Sequence, residues 1–218
     1  MRRWTVAVGC GALALAAAGC VQTVGGTAQP AQTSGPGLGG ILLTANDINA
    51  IMGVNDIAVV DTSRDMQSAG RHISRPECLG ALYNAEDSVY QGSGWIDVFD
   101  QVLADPVDDH WVEQTAVRFA GQNPAQAFVA TSLSAWSRCS GKEVSVTSGG
   151  DNDHWDIGDL IITGQIINQT AQQRDAGGWG CQHALSAIAA IVIEVTACAT
   201  TIGDEAVGIV DKMAGKLS

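Results

Sequence analysis

Residues 178–198 read GWGCQHALSAIAAIVIEVTAC. Between the two cysteines the stretch is uncharged except for Glu194, and its second half is dominated by Ile and Val. Such a run is either a membrane segment or a strand buried inside a sheet. Cys181 and Cys198 bracket it and put both of its ends on an oxidising, aqueous side, so residues 184–197 are read as a buried central strand. Glu194 is then either on a solvent face or a buried acid with a partner, and the second would be a functional hint. Gln182 and His183 follow Cys181 by one and two positions and face opposite ways if extended, so one of them can line a cleft.

Outward from this strand, three segments carry helical signals. Residues 44–53 begin with a Thr cap, place Asp47 in the first turn and Ile48, Ile51 and Met52 on one face, and end in Gly53. Asn123-Pro124 opens a second helix, whose apolar residues Phe128, Val129, Leu133 and Trp136 recur at helical spacing up to Cys139. Residues 203–217 repeat Val207, Val210, Met213 and Leu217, with acids early and lysines late as a helix dipole prefers. Strand-like runs lie at 94–99, 112–120, 142–147, 156–169 and 188–197. Helices and strands do not alternate as in βαβ units. The expected class is α+β, built on an antiparallel sheet.

The 218 residues are 46% hydrophobic and 16% charged, enough for one core. Eleven basic residues face 23 acidic ones, a net charge of -12 that repels phosphate backbones and argues against nucleic acid as a partner. The chain opens with Met1-Arg2-Arg3 and an uncharged Ala-, Val- and Leu-rich run, the layout of an export signal. That run ends in LAAAGC at residues 15–20, which resembles the lipobox of bacterial lipoproteins, cut before Cys20 so that this cysteine receives the lipid. Residues 1–19 are therefore expected to be a signal peptide. Residues 20–40 are the lipidated cysteine and a Gly-, Pro- and Thr-rich tether about 25 Å long on average, and residues 41–218 the folded domain. Removal of Arg2 and Arg3 leaves 9 basic against 23 acidic residues, or -14. The expected location is the outer side of the cell membrane, held by a lipid anchor.

Cys10 leaves with the signal, and Cys78, Cys139, Cys181 and Cys198 remain, an even number in an exported chain. Two disulfides are expected, and the sequence leaves three pairings open. A metal site is not expected, because no C-x-x-C occurs. No G-x-S-x-G or H-E-x-x-H is present either, so no catalytic residues, no enzyme and no cofactor are expected. Residues 151–156, DNDHWD, are read as a solvated acidic turn rather than a calcium loop. Asp109-His110-Trp111 and Asp153-His154-Trp155 echo each other, and a hydrolase using an Asp-His pair would need a Ser or an activated water beside one of these histidines. Trp136 and Trp179, close to cysteines, are expected to pack against disulfides, whereas Trp95 and Trp155 stand in more polar surroundings. The candidate cleft residues are Trp95, Trp155, Gln182, His183 and Glu194.

Taken together, Pro76-Glu77-Cys78-Leu79-Gly80, Trp136-Ser137-Arg138-Cys139, Trp155 with Gly158, and the Gly-Trp-Gly-Cys-Gln run at 178–182 leading to Cys198 resemble the PknH-like extracellular sensor domains of mycobacteria. The resemblance covers about residues 42–217 and implies a twisted antiparallel sheet with helices and a large cleft for an unidentified ligand. It also implies the favoured pairing of Cys78 with Cys139 and Cys181 with Cys198, whose loops of about 62 and 18 residues would contribute on the order of 4 and 3 kcal/mol. His183 stands where members of the family tend to carry Arg, and Ala189-Ala190 where they tend to carry an Asn pair. Neither H-R-D nor D-F-G, the marks of a kinase domain, occurs in the sequence. The resemblance thus implies a non-enzymatic, lipid-anchored envelope module that binds a small molecule, lipid or wall fragment in a cleft. The alternative is an interaction or structural lipoprotein whose cleft docks a peptide or another envelope protein.

Overall fold

The computed structural model describes residues 37–217, apart from 69 and 108. The signal, Cys20 and most of the tether lie outside the described residues. In chain order the elements are α1 (Leu38–Ile41), α2 (Ala45–Met52), β1 (Ala58–Ser63), β2 (His72–Ile73), a 3-10 turn (Pro76–Cys78) running into α3 (Leu79–Leu82), α4 (Asp87–Tyr90), β3 (Trp95–Ala104), β4 (His110–Phe119), α5 (Gln122–Cys139), β5 (Glu143–Ser148), β6 (Asp151–Thr163), β7 (Ile166–Gln173), β8 (Gly180–Ile188), β9 (Ile191–Ala199) and α6 (Glu205–Gly215). The nine strands form one antiparallel sheet in the order β1-β3-β4-β9-β8-β7-β6-β5-β2, with helices on both faces. The α+β class read from the sequence is the one observed.

The 178–198 stretch corrects the reading of a single strand over 184–197. It is a hairpin, β8 and β9, closed by a two-residue turn at Ala189-Ala190 in which Ala189 takes φ 51°. No Gly, Asn or Pro marks that turn, so the apolar run passes through it unbroken. The 156–169 run is likewise two strands, turning at Gly164 with φ 62°. Residues 151–156 belong to β6 and pair with β5, so they are strand and not an acidic turn.

All nine positions of β9 are buried, because each face of the sheet carries its own layer. Ile191, Ile193, Val195 and Ala197 enter a core formed with α1, α2 and α6, through Leu38, Ile41, Ile48, Ile209, Val210 and Met213. Val192 lies in the opposite core, under Phe128, Trp136 and Cys139 of α5 and Tyr90 of α4. The period of two along β9 thus feeds two cores at once.

The local reasons for the helices are legible. Thr44 and Asp47 form a reciprocal capping box at the start of α2, and Gly53 closes it in the left-handed region at φ 74°. On α5, Ala125, Phe128, Ser132, Trp136 and Cys139 make the buried stripe that rests on the sheet. The start of α6 is served from the sheet itself: Gln182 of β8 accepts from the backbone N–H of Ala206 at 3.0 Å and of Val207 at 3.3 Å. Disulfides join Cys78 to Cys139, tying the 3-10 turn to the end of α5, and Cys181 to Cys198, directly opposite each other on β8 and β9.

Candidate binding cavity

Side chains alternate across strands, so the α5 side of β7, β8 and β9 presents Gln169 and Ala171, Cys181 and His183, and Thr196 and Cys198 side by side. Aromatic side chains from four separate places stand around this floor. Trp111 comes from β4, opposite Cys198; Trp155 comes from β6; Trp179 immediately precedes β8; and Tyr83 follows α3. They surround a partly open cavity of about 170 Å³ whose lining is mainly apolar.

The polar groups of the floor are few and buried. Gln169 donates from its amide to the carbonyl oxygen of Gly158 at 2.8 Å and to Ser140 Oγ at 3.1 Å, while its Oε1 has no hydrogen-bond partner in the protein. A Cβ at Gly158 would sit 2.5 Å from Thr170 Oγ1, so any larger residue there would have to displace the Thr170 side chain. His183 lies under the Trp136 ring, with ring centres 4.6 Å apart. Its Nε2 is 3.1 Å from Glu194 Oε1 without hydrogen-bond alignment, and its Nδ1 has no partner. Trp155 Nε1 is also buried and unpartnered.

Behind His183 the charge is tied down. Glu194 Oε2 accepts from Tyr90 Oη at 2.8 Å and from the Ala85 backbone N–H at 3.0 Å. Asn84 plugs the same seam, donating to the carbonyl oxygens of Glu113 and Glu194 and to Thr115 Oγ1, and accepting from Thr196 Oγ1 at 2.7 Å. Thr115 in turn donates to Asp100. Burial pushes Asp100 up to about 6 and Glu113 well above the usual carboxylate range. Burial also raises Glu86, although Arg71 lies 2.5 Å from its carboxylate. The Arg71 guanidinium sits 3.9 Å over the Tyr83 ring, and burial raises the Tyr83 phenol.

Of the residues singled out in the sequence, Trp155 and His183 line the cavity, and Glu194 stands behind His183. Gln182 is on the opposite face at the start of α6, and Trp95 packs, half-buried, against the α5-side core away from the cavity. Trp136 is buried beside Cys139, as expected, but Trp179 is a half-buried wall of the cavity, with the Cys181–Cys198 disulfide as its neighbour in the lining. The echoed Asp-His-Trp segments meet through their tryptophans, Trp111 and Trp155, and not through their histidines. His110 Nδ1 bonds Asp105 at 2.7 Å. His154 Nδ1 meets Ser145 Oγ at 3.0 Å and Glu143 at 3.5 Å, on the same nitrogen, while Asn152 occupies Nε2. A Ser-His-acid relay needs the hydroxyl and the acid on opposite nitrogens, so this trio is not wired for nucleophilic catalysis.

A second concavity, of about 720 Å³, runs between α5 and the segment after the 3-10 turn, past Glu77, Gly80, Gln91, Phe128 and Arg138. Among the described residues no three His, Cys, Asp or Glu side chains are grouped to hold a metal ion, and no helix is long and apolar enough to cross a membrane.

Residues 34–216 match the family described as the PknH-like extracellular domain. Over 183 residues the chain is 34% identical to the serine/threonine-protein kinase PknH of Mycobacterium bovis and to that of Mycobacterium tuberculosis, which covers 83% of this chain but only 31% and 29% of those proteins. The chain therefore spans under a third of the length of these curated relatives. The crystal structure of the extracellular domain of PknH from Mycobacterium tuberculosis has the same fold, with a TM-score of 0.81 at 34% identity over 83% of this chain and 94% of that one.

Proposed function

This chain belongs to the PknH-like extracellular domain family, and from that premise we propose that it is a non-enzymatic, lipid-anchored, sensor-like protein of the cell envelope that binds a small molecule, lipid or wall fragment in the tryptophan-walled cavity. The observation that carries this reading is the mainly apolar cavity walled by Trp111, Trp155, Trp179 and Tyr83, with Gln169 and His183 among its lining residues. A concave, mainly apolar site with a few polar residues in its lining is the usual form of a ligand pocket. The anchor rests on the lipobox-like segment ending at Cys20.

Native mass spectrometry of the protein recovered from the envelope of the organism that makes it tests the ligand. A retained small molecule, together with a rise in melting temperature on adding envelope extract, is the expected result. Apo protein with no shift overturns the reading. On detergent phase partitioning, Cys20→Ala is expected to move to the aqueous phase, and unchanged partitioning overturns the anchor.

A further inference from the structure

We propose that the cavity takes the apolar end of an amphiphilic molecule, an uncharged hydrocarbon group whose polar part stays outside the mouth. The proposal rests on reading the cavity as a ligand site and adds the chemical class of what enters it. An engineered cavity of about 150 Å³ accepts a benzene ring, so 170 Å³ admits about six carbons of chain or ring. The lining, with Trp111, Trp155, Trp179 and Tyr83 around the Cys181–Cys198 disulfide, is mainly apolar and includes no Asp, Glu, Lys or Arg. Because the cavity is partly open, the remainder of a longer molecule can leave through its mouth.

The polar side chains of the lining offer a ligand little. The amide nitrogen of Gln169 donates to the Gly158 carbonyl oxygen and to Ser140 Oγ, and Thr196 Oγ1 donates to Asn84 Oδ1. Gln169 Oε1, Trp155 Nε1 and both ring nitrogens of His183 are sealed from water, so a ligand does not reach them without displacing their neighbours. A hydroxyl or an ion carried into the cavity would give up hydration that the apolar lining does not replace. Each methylene carried in leaves water for apolar contact instead. A quaternary ammonium is the other kind of group that aromatic walls accept. It would meet the Arg71 guanidinium, which already lies 3.9 Å over the Tyr83 ring.

The test uses the full chain in a detergent with perfluorinated tails, which mix poorly with hydrocarbon, and reads tryptophan fluorescence and calorimetric titration. The probes are the straight-chain primary alcohols from butanol to octanol, benzyl alcohol, hexanediol with a hydroxyl at each end, and choline, with envelope extract in parallel. The expected result is an affinity that rises about fourfold with each methylene up to about hexanol and levels off beyond it. The diol should bind at least about tenfold more weakly than hexanol, because its far hydroxyl would be buried unpaired. Tighter binding of hexanol than of benzyl alcohol assigns an aliphatic chain, and the reverse an aromatic ring. Ala171→Leu, which puts a larger side chain on the cavity floor, is expected to weaken hexanol binding about tenfold or more. Trp179→Ala, at a half-buried wall, weakens it as well and decides the matter should the first variant fail to fold. Choline or the diol binding as tightly as hexanol overturns the proposal. So does an affinity indifferent to chain length, or a response to extract with none to the alcohols, and each of these results leaves the ligand-binding reading standing. Hexanol binding unchanged in every folded variant lies elsewhere on the protein and overturns the proposal too. No response to any probe or to extract overturns both.

Discussion

Ala189 turns the central hairpin with a backbone that L-residues with a Cβ adopt at a cost, φ 51°. Asn tolerates that region better than Ala, so Ala189→Asn is expected to stabilise the fold by about 0.5–1 kcal/mol. A urea titration checks it: the midpoint should rise with the slope unchanged, and a fall would mean that the turn is held by something other than its own conformation. A pair of asparagines at the tip of this two-residue turn would likewise suit the backbone. His183 and Gln182 show the same sensitivity to one residue of register: one lines the cavity and its neighbour caps a helix on the far side of the sheet.

Between elements, Gln182 is the link from β8 to α6. Its side chain meets two N–H groups of the first turn that the helix cannot satisfy internally. Gln182→Ala is expected to cost about 1–2 kcal/mol and to leave the melting shift on adding envelope extract unchanged, since the residue is outside the cavity. Chemical denaturation measures the first, and thermal melting with and without extract the second. The capping box of α2 and the stripe of α5 were readable because their signals are local, within one or two turns of chain. The hairpins were not. Ala189-Ala190 lacks turn residues, and Ile161 and Ile162 continue an apolar run although they are 53% and 61% exposed. The cavity was half legible for the same reason: Trp155 and His183 stand near informative neighbours, whereas Trp111 and Gln169 converge only through the register of β4, β9, β8 and β7, and Tyr83 arrives from the segment after α3.

For the whole molecule, the buried carboxylates make stability depend on pH. Asp100 is raised from 3.8 to about 6, and Glu113 and Glu86 move in the same direction, each mainly through burial. The folded protein therefore binds these protons more tightly than the unfolded chain does. Their stabilising effect is complete below the unfolded carboxylate range, near about pH 4, and is lost as pH rises through about 6 and beyond, on the order of 2–3 kcal/mol for Asp100. The melting temperature is expected to be higher at about pH 5 than at about pH 8. Asp100→Asn should raise the value at the higher pH and flatten the profile. A melting temperature that climbs from the lower to the higher pH would show that these acids are ionised in the folded state.

Both covalent staples lie on one side of the sheet. Cys78–Cys139 sits in the core beneath α5, and Cys181–Cys198 lines the cavity. Among the described residues, the layer of α1, α2 and α6 on the other side carries no disulfide and is held by non-covalent contacts. The molecule thus has a hardened half and a soft half. Sub-global opening under mild heating should lift the soft layer first, with its amides exchanging with solvent while the aromatic walls opposite stay assembled.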